Sequence, residues 1–411
     1  MKIKSLLIGS AAAIVAAPAM AADVIIAEPE PVEYVEVCDV AGAGYFYIPG
    51  SRTCLQIGGL VRHELQFGND DGQLFAGSAN IVDEDDQIVT SDDVFIADGE
   101  NDGIDSLVRA ELTVRTYTET ELGALTSYFR FRADDVNSAP QDLVVSTEGD
   151  ALFEGGTQGV ANNGSVFVTD AVIGLGGLLL GRSDTLFDGG IAGEFDGFGG
   201  GSVHFIRYVA DLGAFSAGIS LEAEREFASR FDYVPNVVAN VSGDVGAFSV
   251  DLWAAYDDED EIDVVTPGFD DIITGDDEFA FKVRAGADLG VFALEAAATY
   301  HTGENFYDNG YEFSVGASAT VGLGERASLT FGGQYFGNEL VSTVVDGVIV
   351  DIDDTNDDSD AYSIGANLDY EIVEGFSTKV AVTYADDIVD NELDDDDDGI
   401  LTGFIRFDRT F

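Results

Sequence analysis

Side chains alternate in character along Ser363-Ile-Gly-Ala-Asn-Leu-Asp-Tyr370, and that alternation recurs from Leu55 to the terminal Phe411. Ile364, Ala366, Leu368 and Tyr370 point one way; Ser363, Gly365, Asn367 and Asp369 point the other. Successive side chains of a strand face opposite sides, so each such segment has one apolar and one wet wall. No segment carries the three-in-seven apolar stripe of a surface helix over a useful length. A long chain of half-wet strands needs an apolar medium outside and water inside. A closed antiparallel barrel in a lipid bilayer supplies both.

The formal charge of −60, from 18 basic and 78 acidic residues, argues against nucleic acid, whose binding needs Lys and Arg to displace counterions. High Gly and aromatic content with few Pro suits packed strands rather than acidic disorder. Residues 1–21 read as a secretory signal: Lys2 and Lys4, an apolar stretch from Leu6 to Ala17, and the small-x-small site Ala19-Met20-Ala21. No later stretch reaches the ~18 apolar residues of a spanning helix. The chain then divides into 1–21, an N-terminal segment 22–53, and a barrel from 54 to 411. In an oxidising compartment Cys38 and Cys54 are expected to form a disulfide, two free thiols being the alternative. His63, His204 and His301 do not stand at ligand spacing from that pair, so no metal or other cofactor is expected.

Asp211-Leu-Gly-Ala-Phe215, Asp244-Val-Gly-Ala-Phe248 and Asp288-Leu-Gly-Val-Phe292 share one form, a hairpin turn followed by a strand opening on Phe. Between such turns lie long acidic segments, read as irregular: Gly68 to Asp105, Asp134 to Ser165, Asp257 to Glu278, Asn338 to Asp360 and Asp386 to Gly399. Tight and long connections alternate. The pattern predicts sixteen strands, at 54–67, 106–119, 122–133, 166–175, 177–183, 203–211, 214–226, 236–245, 248–257, 279–289, 292–302, 311–322, 327–337, 361–370, 376–385 and 400–411. Short turns on one rim and long loops on the other are the asymmetry of bacterial outer-membrane barrels. Predicted outward sets include Phe292, Leu294, Ala296, Ala298 and Tyr300, and Tyr311, Phe313, Val315, Ala317, Ala319 and Val321. Tyr300, Tyr311, Tyr335, Tyr370, Phe376 and Tyr384 at strand ends fit interfacial aromatic girdles.

Cys38-Asp-Val-Ala-Gly-Ala-Gly-Tyr-Phe-Tyr-Ile-Pro-Gly50 with Cys54-Leu-Gln-Ile-Gly-Gly-Leu-Val-Arg62 resembles the start of the alphaproteobacterial general porins, the rhizobial porin family. Ala27-Glu-Pro-Glu-Pro-Val-Glu-Tyr34 is similar to that family's mature N-terminus, and Gly181-Arg-Ser-Asp-Thr-Leu-Phe-Asp188 to its segment leading into the pore loop. The resemblance implies a sixteen-stranded outer-membrane barrel among lipid and lipopolysaccharide. It also implies a homotrimer and passive diffusion of small hydrophilic solutes and ions. The loops here are more acidic than the family pattern.

A barrel of this size encloses an aqueous channel unless something narrows it. By the resemblance, the Gly-rich third long loop, Arg182 to Ser202, folds into the lumen, bringing the acids Asp184, Asp188, Glu194 and Asp196. A basic ladder is expected opposite: Arg62 on the first strand, Arg109 and Arg115 on the second, Arg130 and Arg132 on the third, with Arg182 at the loop's base. Such a pair of facing charges sets up a transverse field; simple neutralisation of wall charge is the alternative. The acidic runs Asp83 to Asp86 and Asp394 to Asp398 would draw cations to the mouth, and their spacing matches no defined calcium loop. A sugar-specific channel would show an aromatic track in the lumen, but Tyr117, Tyr128, Trp253 and Phe336 lie apart. An enzyme has little to build on with three His at no recognisable spacing. Residues 22–53 are too few to plug the barrel as a structural protein would require.

Overall fold

The structure, a computed structural model, describes residues 36–68, 75–82, 88–97, 104–137, 144–147, 150–154, 166–223, 234–257, 278–303, 305–307, 310–340, 342–345, 348–351, 360–386 and 399–411. The chain divides into two units, Met1–Glu36 and Val37–Phe411. The predicted signal at 1–21 lies outside the described residues, as do the acidic runs 83–86 and 394–398.

Sixteen strands make the barrel: β1 Cys54–Gly68, β2 Ile104–Thr120, β3 Gly123–Asn137, β4 Val166–Leu175, β5 Leu178–Asp184, β6 Ser202–Asp211, β7 Phe215–Ala223 and β8 Asn236–Val245. The second half holds β9 Phe248–Asp257, β10 Glu278–Asp288, β11 Phe292–His301, β12 Tyr311–Gly322, β13 Ala327–Glu339, β14 Ala361–Val373, β15 Phe376–Asp386 and β16 Ile400–Thr410. Each pairs antiparallel with its sequence neighbours. The ring closes where β16 returns to β1, from Leu60↔Thr410 to Gly68↔Thr402. Closure leaves no unpaired edge for lipid to meet. All sixteen predicted strands are present, with ends displaced by a few residues.

The faces sort as the alternation requires. Leu294, Val315, Phe331, Ile364 and Leu368 stand exposed on the outer wall, while Thr299, Ser314, Gln334, Ser363 and Asn367 are buried on the inner side. Tyr300, Tyr335 and Tyr370 are exposed near strand ends, as a girdle requires. Tyr311 departs from its predicted outward set: it is buried, with its ring 5.0 Å from that of the buried Phe336. The facing strand is irregular there, with Asn338 at a φ of 56°.

The long connections are not all irregular. Phe75–Val82, Ile88–Ala97, Val144–Thr147 and Asp150–Glu154 form a four-stranded sheet, and Ser342–Val345 pairs with Val348–Asp351. Ile88–Ala97, Val144–Thr147, Ser342–Val345 and Val348–Asp351 are rich in β-branched residues, a local strand signal masked by the surrounding acids; Asp150–Glu154 carries none.

Below the seam, Phe46 and Tyr47 pair with Leu55 and Cys54. Cys38 and Cys54 form a disulfide with Cα atoms 5.9 Å apart, both side chains buried. A bond closing a loop of this size constrains the unfolded chain by about 3 kcal/mol. Replacing both cysteines by Ser is expected to expose the segment between them to protease while the β-sheet circular dichroism of the barrel is kept. Limited proteolysis with mass mapping of the cut sites checks this.

Candidate functional site

Between β5 and β6 the chain runs across the inside of the barrel rather than out from its rim. Its base is fixed by Glu222 on β7, a carboxylate only 1% exposed. Glu222 accepts hydrogen bonds from Thr185 Oγ1, the Leu186 N–H (2.8 Å), Arg207 Nη2 (3.2 Å) and the Tyr307 hydroxyl (3.3 Å). From there the loop meets the inner faces of successive strands. Arg284 Nη1 and Lys282 Nζ on β10 donate to the carbonyls of Gly190 (3.0 Å) and Phe198 (3.1 Å). The Ala192 N–H reaches Glu295 Oε2 on β11 (2.6 Å), and the Gly197 N–H reaches Gln334 Oε1 on β13 (2.6 Å). Ser363 on β14 donates to the Phe195 carbonyl (2.5 Å). At the far side Glu194 takes Lys379 Nζ of β15 at 2.6 Å and Arg406 Nη1 of β16 at 3.5 Å, while Thr383 holds its carbonyl at 3.1 Å.

Apolar contacts seat the loop between these bonds. Phe187 packs with Trp253, Val238, Ala255, Ala280 and Tyr307; Ile191, Phe195 and Phe198 pack with Ala297. The wall gives way for them. A Cβ at Gly332 would lie 2.3 Å from the Phe195 ring, and one at Gly365 would lie 3.0 Å from it. These glycines of the wet face leave the room that Phe195 fills. Near the middle of the loop, Asp188, Gly190, Ile191, Asp196, Gly197, Phe198, Gly199 and Gly200 line a hollow of about 550 Å³. Burial pushes the Asp196 carboxyl up from the ordinary aspartate range, against the hydrogen bond it accepts from the Ile191 N–H (2.9 Å).

Arg62, Arg109, Arg115, Arg130 and Arg132, expected to form a basic ladder, stand on β1 to β3, where the register pairs most of them with carboxylates. Arg62 stands opposite Asp408 and Arg109, and Arg109 opposite Asp134. Arg62 grips Asp408 with two bonds of 2.7 and 2.8 Å. Arg109 and Arg132 share Asp134, at 2.8 and 2.7 Å. Arg130 lies 2.7 Å from Asp170 and 3.8 Å from Glu111. A charge paired this way acts across the lumen as a dipole, and its field falls off faster than that of a bare guanidinium. Arg115 keeps no carboxylate within salt-bridge range among the described residues; it reaches Gln56 at 3.5 Å and lies over the Tyr128 ring.

Arg182 is a correction. It stands opposite His204, two places along from Leu180↔Ile206, whose side chains are exposed on the outer wall. Strand alternation therefore sets Arg182 on the outer face, where it donates to the carbonyls of Val168 and Thr169 beside an irregularity in β4. Reading the loop from Arg182 onward took its polarity for a lumen position; the parity of Leu178 and Leu180 carried the opposite signal. Sequence reasoning also missed Glu222, Lys282, Arg284, Gln334, Lys379 and Arg406. Each stands on the wet face of a strand whose alternate residues are apolar, and that parity would have found them.

A closed sixteen-stranded ring with short turns on one rim and a loop laid across its lumen is the architecture of an outer-membrane porin channel. The sequence matches the Porin subfamily over residues 23–403, and the chain belongs to that family. Porin Omp2a of Brucella suis is 31% identical, over the whole of both chains. Among solved structures, the outer membrane channel DcaP of Acinetobacter baumannii superposes with a TM-score of 0.59 at 13% identity, covering 89% of this chain and 99% of that one. The trimer form of OmpT, an outer membrane protein of Vibrio cholerae, gives 0.51 at 13% identity, covering 88% and 100%. At that identity the two superpositions speak for the fold alone. The resemblance carried by Cys38 to Arg62 and Gly181 to Asp188 is thus a family membership, and the protein is located in the bacterial outer membrane.

Overfilling the site of Phe195 tests the seating of the loop. Gly332→Val should disfavour the seated position by about 1–3 kcal/mol, the usual cost of overpacking. Protease cleavage within residues 185–201 is expected to appear in the folded barrel, together with larger and noisier single-channel currents. Unchanged currents with an uncut loop would mean that the loop does not depend on this contact.

Proposed function

We propose that this porin is a general diffusion channel for small hydrophilic solutes and ions, that it works as a homotrimer, and that it prefers cations. The observation that carries the reading is the loop across the lumen, whose residues 185–201 include Asp188, Glu194 and Asp196 and no basic side chain. On the lumen side Asp188, Asp196 and Glu295 have no basic partner within 4 Å among the described residues; Arg115 and Lys282 are the lumen-facing basic side chains without a carboxylate. Paired charges largely cancel beyond a Debye length of about 8 Å. The unpaired ones set the sign, and here it is negative.

The overall charge of −60 supports the same sign at the mouth, because a cleft lined by one charge concentrates the opposite ion. Trimeric assembly is supported by family membership and by the trimer form solved for the OmpT barrel. No enzymatic step enters this reading. Lipid and lipopolysaccharide surround the barrel in it, and nucleic acid is not a partner.

Planar-bilayer recording tests the proposal. Ohmic steps in groups of three are expected, with a reversal potential biased toward cations in a salt gradient. Asp188→Asn should lower the cation-to-anion permeability ratio by about two- to threefold, as loss of one lumen charge implies. On acidification the raised Asp196 carboxyl takes its proton before exposed aspartates do. The preference should therefore begin to fall above the pH range of an ordinary aspartate, and Asp196→Asn should remove that early part. An anion-biased reversal potential overturns the charge reading. Saturable block by one sugar would assign a specific channel instead.

A further inference from the structure

The repeated Asp-x-Gly-x-Phe turns are not accounted for by conduction. They join β6 to β7, β8 to β9 and β10 to β11, three consecutive hairpins on the tight-turn rim. The last outward rung of each hairpin is an aliphatic residue opposite a phenylalanine. Val245 pairs with Phe248 in the ladder. Leu212 and Leu289 each donate their N–H to the carbonyl of the facing Phe, Phe215 and Phe292, at 2.8 Å. All six are exposed; Leu212 and Val245 are each 66% exposed and Leu289 57%. A single exposed aliphatic residue is ordinary, but the same exposed pair repeated on three consecutive hairpins of one rim is not scattered.

We infer that these turns are immersed in the bilayer, and that the occupant of this rim is the phospholipid of the leaflet on the tight-turn side. The apolar arc is continuous with the membrane-facing wall. On β10 the outward set runs Phe279, Phe281, Val283, Ala285 and Ala287, and Leu289 extends it past the strand's end. From Phe279 to Leu289 is about 33 Å along the chain at ~3.3 Å per residue. At a tilt near 40° that is about 25 Å of membrane thickness, the height of the apolar band of such barrels. Stopping at Ala287 leaves about 20 Å, so the band reaches its usual height only with the turn tip inside it.

The polar groups of the turns are arranged to allow this. Each Asp stands on the inner side of the wall, one step before its aliphatic neighbour, toward the water column. Asp211 and Asp288 accept the N–H of Gly213 (2.8 Å) and Gly290 (2.9 Å), the residues whose positive φ makes the turn. Neighbouring turns are stitched together. The Ala214 carbonyl accepts the Asp244 N–H (3.1 Å), the Ala247 carbonyl that of Asp288 (2.8 Å), and the Val291 carbonyl that of Gly322 (3.0 Å). Unpaired backbone groups are what keep ordinary turns out of hydrocarbon. The inference rests on the outer-membrane location alone, not on any solute or ion preference.

Tryptophan placed at the tips reads the environment directly. Leu212→Trp, Val245→Trp and Leu289→Trp would each be reconstituted into phosphatidylcholine vesicles, with and without acyl chains brominated near the headgroup. The single native Trp253, buried against Phe187 inside the barrel, gives the baseline in the unsubstituted protein. The inference expects blue-shifted emission at the new positions, quenched at least about twofold more than the baseline by brominated lipid. Red-shifted emission quenched by aqueous iodide but not by brominated lipid would overturn it. So would blue-shifted emission indifferent to both quenchers, which would mark contact with another protein surface. A variant that inserts poorly is identified by its circular dichroism, and the remaining positions decide. In addition, Leu289→Asp should lower the folded yield several-fold in vesicles but not in detergent micelles; equal yields in both would count against immersion.

Discussion

The seam between β1 and β16 is the constraint on which the rest of this molecule depends. A sheet with free edges cannot sit in hydrocarbon, because its terminal N–H and C=O groups find no partner there. The pairs from Leu60↔Thr410 to Gly68↔Thr402 remove those edges. Once the ring is closed, the alternation of each strand acquires an absolute meaning: one parity faces lipid, the other faces water. Nearly all the polar side chains that the described strands bury go to a single shared interior, Arg182 standing outside it.

That interior explains why the loop between β5 and β6 lies where it does. Its backbone needs partners along most of its course, and the wet faces of β10, β11, β13, β14 and β15 present them in sequence. Lys282, Arg284, Glu295, Gln334, Ser363 and Thr383 all hydrogen-bond to the loop's backbone, Lys282 lying over the Phe187 ring as well. The loop's course is therefore set by the wall, while its acidic side chains are left to face the lumen. Glu194 and Asp196 are the exceptions: Lys379 and Arg406 take the Glu194 carboxylate and fasten the far end, and Asp196 accepts the Ile191 N–H.

The strands, their faces and the disulfide were legible because each follows from short-range pattern: period two, turn residues, and a cysteine pair in an exported chain. The loop's entry into the lumen came from resemblance, with its glycines agreeing. What could not be read was the pairing of charges across strands. Arg62 and Asp408 stand at opposite ends of the sequence and become neighbours only through the closing register. Tyr311 failed for a related reason: parity holds while the facing strand is regular, and β13 is not regular at Asn338. Arg182 was different, since the exposed Leu178 and Leu180 beside it already carried the correct parity.

The scarcity of basic residues then bears on conduction in a specific way. Arg62, Arg109, Arg130, Arg132, Arg207, Arg284, Lys379 and Arg406 are held by carboxylates. Arg182, Lys282, Arg326 and Arg409 are turned to backbone carbonyls. A chain with 18 basic residues against 78 acidic ones therefore has few cations left that are not engaged in structure. Its acids outnumber the available partners several-fold, so the excess is free by default. Selectivity in such a channel does not need a dedicated site. On the proposed reading it follows from which sign of charge the fold has already committed to holding itself together.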